Sequence, residues 1–146
     1  LADVVELNRT PVLGQEDGKS WGGYAGLSIR FSQNFSDSRF VAPWNDNDTI
    51  NGQRGDWLYM GFTGIDGTQV GTQIMVPPST RRKGWAWYSV NSELQPFYYF
   101  SPAYLYFKPL TFKKNERFSL NYRILHMTEK VNKRELNETY KKYINQ

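Results

Sequence analysis

Two tryptophans, Trp85 and Trp87, stand two residues apart in the run Gly84-Trp85-Ala86-Trp87-Tyr88. In a strand, residues i and i+2 share a face, so both indoles project to one side. A pyranose presents C–H groups on one face of its ring and hydroxyls around the rim. A site for it needs a flat aromatic surface edged by carboxylates, amides or guanidinium forks. Arg30, on the polar side of its own strand, and Lys19 and Glu93, in loops, supply such an edge. Trp85, Trp87, Arg30 and Lys19 are therefore the candidate ligand-binding residues, with a saccharide as the expected partner. The competing reading places both indoles in the core, where large aromatics dominate.

Paired carboxylates flanking a sugar perform glycosidase- or epimerase-type acid–base work. Asp56, Asp66 and Glu93 are the carboxylates available in ordered stretches. Asp66 precedes Gly67 in a turn signal and Asp56 suits a loop cap, so Glu93 is the one least accounted for by structure. His126, the only histidine, falls near a strand end and could act as a general base or as a partner of Glu129. Glu93 and His126 are the candidate catalytic residues. The run from Asp46 to Gly52 resembles a calcium loop. It departs from the EF-hand pattern, because Ile50 takes the fifth position, Gly52 is one residue late and Trp57 stands where Glu is needed. With no Cys and one His, the chain cannot by itself form a thiolate or multi-histidine metal site. It carries no phosphate-binding glycine loop and no nucleophile elbow. No metal and no cofactor are expected.

The elements that would position these groups are short strands. The 146 residues amount to one domain, and the 24 Phe, Tyr and Trp side chains rule out general disorder. Leu27, Ile29 and Phe31 alternate with Ser28 and Arg30. Asp56 to Phe62 and Gln69 to Val76 flank Asp66-Gly67 as a hairpin. Gly84 to Val90 is the tryptophan strand. Phe97 to Phe107 is nearly all aromatic, with Ser101-Pro102 marking a bend or edge. That run, with Tyr104, Tyr106 and Phe107, reads as core plus edge, with a surplus able to line an interface. Arg117 to Leu125 reads as a strand with Phe118, Leu120, Tyr122 and Ile124 inward. Asn132 looks like a helix N-cap answered by Glu135, and Leu136, Tyr140, Tyr143 and Ile144 form one helical stripe. The expectation is a mainly β, antiparallel β-sandwich over residues 1–146, with a terminal helix over 128–146. The chain begins at Leu1 and reads as a fragment of a longer protein.

Charge narrows the partners. Nine Lys/Arg and four Glu fall between Lys113 and Lys142, so the basic excess belongs to the C-terminal end. There lysines alternate with glutamates, the pattern of a solvated helix, and no nucleic-acid partner is expected. No apolar run approaches 18 residues, so no membrane span is expected.

Four stretches, taken in order, resemble a bacterial family labelled PmoA-like. They are Asp17-Gly18-Lys19 with Gly22 to Arg30; Arg54 to Trp57 with Gly64 and Asp66-Gly67; Trp85 to Tyr88; and Phe100 to Ala103 with Lys108 to Thr111 and Leu120 to Leu125. The resemblance implies a β-sandwich related to galactose-mutarotase-like, carbohydrate-handling domains, of which this chain is about half. It does not carry the oxygenase chemistry of the label, which needs spanning helices and several metal ligands. Where the family often has Asp-His-Pro, this chain has Met75-Val76-Pro77-Pro78, and His126 lies one position from the family's last-strand histidine.

The functional expectation is a carbohydrate-binding β-sandwich of a bacterial periplasmic or extracellular protein. The alternatives are a sugar-active enzyme domain working by carboxylate acid–base chemistry, and a structural half-domain completed by a missing segment or a second subunit as a homo-oligomer.

Overall fold

The computed structural model describes residues 4–7, 10–11, 20–21, 26–44, 50–78, 85–92, 97–107 and 110–146. Two four-stranded antiparallel sheets pack as a sandwich, and one C-terminal helix lies on the second sheet. Two ribbons complete the described strands. One pairs β1 (Val4–Leu7) with β11 (Leu110–Lys113), the other β2 (Thr10–Pro11) with β3 (Ser20–Trp21). The expected fold class is the observed one.

The outer sheet runs in the order β4 (Ile29–Arg30), β10 (Phe97–Pro102), β9 (Trp85–Ser92), β6 (Arg54–Gly55). The central sheet runs β12 (Arg123–Met127), β8 (Gln69–Met75), β7 (Trp57–Thr63), β5 (Ser36–Val41). Between the sheets lie Leu58, Met60, Phe62 and Ile74 from one side and Trp87, Tyr98 and Phe100 from the other. The opposite face of the central sheet presents Trp57, Tyr59 and Met75 to Val131 and Leu136 of the helical segment. Each such side chain contributes about 1.5–3 kcal/mol by leaving water. Because both faces of β7 are covered, Trp57 to Phe62 is buried without a break, and its alternation of faces leaves no alternation of polarity.

The Asp66-Gly67 hairpin forms as the turn chemistry demands. Gly67 has φ +80°, a conformation that L side chains avoid, and the Thr68 amide donates to the Asp66 carboxylate at 3.0 Å. Hydrogen bonds from Thr68 hold the Asp66 pKa below its usual value. On the helix side of this hairpin, Gly61 pairs with Gly71 and the Tyr59 ring lies across both. A Cβ on Gly61 would come within 2.7 Å of that ring.

Helix α1 (Lys133–Ile144) starts with a capping box: Asn132 Oδ1 accepts from the Glu135 amide at 3.1 Å, and Glu135 Oε2 from the Asn132 amide at 2.8 Å. Leu136 is fully buried, and the Gln73 amide group donates to its carbonyl at 3.1 Å. The helix is shorter than the expected 128–146. The strand expected over Arg117–Leu125 is also corrected: it spans Arg123–Met127, and Arg123, Leu125 and Met127 are its more covered side chains. Phe118 and Ile124, expected inward, are 41% and 38% exposed. The reason is that β12 is an edge strand whose better-covered face lies under α1, the reverse of the side its hydrophobic spacing suggested.

Candidate functional site

Trp87 is fully buried. Its indole N–H donates to the Gly55 carbonyl at 2.9 Å, and its ring stacks on Phe100 at 6.3 Å between centroids. The Trp87 amide and carbonyl bond to Gln53 and Gly52 at 2.9 Å each, tying the 50–55 segment onto β9. This corrects the expectation of a two-indole platform. The side of β9 that carries Trp87 and Ser89 faces Pro102 and Phe100 across the strand pair and packs toward the central sheet. Trp85, near the strand's start, is half-buried, with Tyr104 edge-on to it at 6.2 Å.

The other side of β9 and β10 carries a different aromatic surface. Phe97 and Tyr99 project from β10 and Tyr88 from β9, joined by Tyr106 and Phe107 from the segment after β10. Phe97 stacks on Tyr99 with centroids 6.2 Å apart, and Tyr99 meets Tyr88 at 5.9 Å. Tyr88 meets Tyr106 at 6.5 Å, and Tyr106 meets Phe107 at 4.9 Å. An arginine closes each end of this ladder of five rings. The Arg30 guanidinium lies 4.4 Å over Phe97, and that of Arg54 lies 4.6 Å over Phe107. Arg30 is on edge strand β4 and Arg54 on edge strand β6, so the ladder crosses the whole outer sheet. The Tyr99 hydroxyl shares a 2.7 Å hydrogen bond with Ser28. Phe107 is 52% exposed, Phe97, Tyr88 and Tyr106 are half-buried, and Tyr99, in the middle, is 3% exposed.

Arg30 also lines a cleft of about 330 Å³ between β4 and β12, together with His126. Its walls include Phe31, Phe35 and Phe62, with Phe31 and Phe62 in ring contact at 4.7 Å. The structure thus gathers two of the sequence-predicted site residues around one opening. His126 Nδ1 and Thr72 Oγ1 are 2.8 Å apart, so the histidine's hydrogen bond goes to Thr72 rather than to Glu129. Thr72 is 2% exposed, and the imidazole rim is open to solvent. Lys19 and Glu93 lie outside the described residues, as does most of the calcium-like loop.

Asp56 sits at the corner where the chain passes from β6 of one sheet to β7 of the other, and its carbonyl accepts from the Val76 amide at 2.8 Å. Burial raises its pKa above the usual carboxylate range, and the neighbouring Tyr140 hydroxyl offsets part of that rise. The same burial, with the Asp56 charge beside it, pushes the Tyr140 phenol up as well.

The ladder is the feature that sequence reasoning missed. Its signal was Arg30: the polar side of β4 must be the outer side, and Arg30 pairs with Tyr99. That pairing places Phe97, Tyr99 and Tyr88, not Trp87, on the outer surface.

No curated protein and no solved structure matches the chain. A family model does, over residues 1–141, and the chain accordingly belongs to that family, a family of unknown function designated DUF6807.

Proposed function

We propose that the protein is a carbohydrate-binding β-sandwich and that it takes a saccharide on the outer face of the β4–β10–β9–β6 sheet. The observation that carries this reading is the ring ladder with an arginine at each end. Phe97, Tyr106 and Phe107 offer apolar ring surface for the C–H face of a pyranose. The guanidinium groups offer fixed hydrogen-bond donors at its rim. A sheet face gives these groups a rigid base, so little conformational entropy is lost on binding. The four stretches that resemble the PmoA-like family, a resemblance that implies a mutarotase-like sandwich, favour a carbohydrate-handling role. A cysteine-free composition rich in Trp, Tyr, Asn and Thr is compatible with a bacterial periplasmic or extracellular setting.

Titration of the chain with a broad oligosaccharide panel, followed by calorimetry, tests the proposal. Saturable binding is expected for at least one class. Phe107→Ala and Phe97→Ala should each weaken it by about 1 kcal/mol, the scale of one aromatic contact. Absence of binding across the panel, or binding indifferent to both substitutions, overturns the proposal.

A further inference from the structure

We infer that the saccharide bound by this face is acidic, a chain bearing carboxylates on more than one sugar residue. The inference rests on the saccharide reading above and adds the ligand's charge to it.

Strands β4, β6, β9 and β10 contain no Asp or Glu, nor does the segment from Ala103 to Phe107. The charged residues that these strands and this segment carry are therefore Arg30 and Arg54. Neutral sugars have hydroxyls that donate as well as accept, and a site for them gains from carboxylate acceptors at the ring's edge. This face offers guanidinium donors instead. Arg30 is exposed and has no ion pair among the described residues, and its polar packing is against the Phe97 ring. A guanidinium lying flat over a ring is dehydrated on that side while its N–H edge stays open. That edge matches a carboxylate in a two-pronged pair, and arginine holds its charge at any working pH.

Spacing extends the argument from one carboxylate to a chain. Arg30 pairs with Tyr99, which pairs with Val90, while Arg54 pairs with Ala86 four residues further along β9. Three strand gaps and four residues of strand put the two arginine positions roughly 20 Å apart on the diagonal. A monosaccharide cannot reach both. A polyuronate laid along the rings between them can.

The experiment compares the intact chain's affinity for two panels of equal length: oligomers of galacturonate, mannuronate, guluronate and glucuronate, and neutral gluco-, manno- and xylo-oligomers. The best acidic oligomer should bind about tenfold or more tighter than the best neutral one, the worth of one charge-assisted contact. Arg30→Gln should remove most of that margin, weakening acidic binding by clearly more than it weakens neutral binding. Raising NaCl from about 0.05 to about 0.5 M should reduce it too, because exposed charges are screened. Arg30 is a solvent-facing edge residue, and the salt series needs no variant. Equal or tighter neutral binding overturns the acidic inference and leaves the saccharide reading standing. Acidic binding indifferent to both Arg30→Gln and salt also overturns it. Binding by neither panel sinks both. A dimer in sedimentation that Phe107→Ala dissociates assigns the face to a second copy of the chain and overturns both.

Discussion

The two sheets spend their rings differently: β9 and β10 of the outer sheet carry seven Phe, Tyr and Trp residues, and β5 and β7 of the central sheet carry four. In the central sheet, Trp57 and Tyr59 of β7 point toward α1 and Leu58, Met60 and Phe62 toward the other sheet, so that each of these side chains has a covering layer. In the outer sheet, Trp87, Tyr98 and Phe100 fill the sandwich, while Phe97, Tyr88, Tyr106 and Phe107 are laid on the far side with water at their edges. The arginines follow the same division. Arg123 of the central sheet lies 4.6 Å over Tyr143 of the helix, within the fold. Arg30 and Arg54 close the ends of a ladder outside the sandwich core. Aromatic content by itself does not mark a binding face. What marks it is a layer of rings that the fold does not need for its interior.

This contrast is sharpest at the single-ring level. Trp87→Ala removes a fully buried indole and its hydrogen bond to Gly55, and should cost about 3–5 kcal/mol in denaturant unfolding. Phe107→Ala, on the ladder, should stay within about 0.5 kcal/mol of wild type. Similar losses for the two would erase the distinction between interior and surface rings. Next in size is Gly71→Ala in the central sheet. Its new methyl would overlap the Tyr59 hydroxyl, and a cost of about 1–3 kcal/mol is expected. The double variant Tyr59→Phe/Gly71→Ala should recover part of it, because the hydroxyl removed is buried without a hydrogen-bond partner. No loss in Gly71→Ala would show that the layer under the helix is loosely filled. The smallest effect belongs to the corner between the sheets. Burial raises the Asp56 pKa in the folded state, so the fold binds that proton more tightly than the unfolded chain does. Its stabilising share is present below the ordinary value of 3.8 and is lost as pH rises through the raised folded value. Asp56→Asn should therefore raise the unfolding midpoint modestly at neutral pH and leave it unchanged well below pH 3.8. A midpoint lowered at neutral pH would mean that the carboxylate is held by a stabilising partner.

Local chemistry carried much of the fold. Asp66-Gly67 demanded its hairpin, Asn132 with Glu135 demanded a helix start, and the alternation from Leu27 to Phe31 separated a polar from an apolar side. Long-range pairing carried the rest, and no local pattern encodes it. Period two says that Trp85 and Trp87 share a side of β9, but not which side meets the core, because Ala86, Tyr88 and Val90 are apolar as well. The answer came from partners 71 and 15 residues apart in sequence, the pairs Phe100↔Ile29 and Pro102↔Trp87 of β10 and its flanking strands. β12 failed for a related reason. The expectation assumed one buried face, whereas the strand sits at an edge, with the helix over one side and the open cleft along the other.

The central claim is that the outer face of the β4–β10–β9–β6 sheet is a saccharide surface. Backbone and aromatic NMR shift mapping of the labelled chain, titrated with its best-binding oligosaccharide, tests it directly. The account predicts that the perturbed signals cluster on Arg30, Phe97, Tyr88, Tyr106 and Phe107, with Trp57, Tyr59 and Leu136 unmoved. Perturbations centred on β12 and α1, or none at saturating ligand, would contradict it.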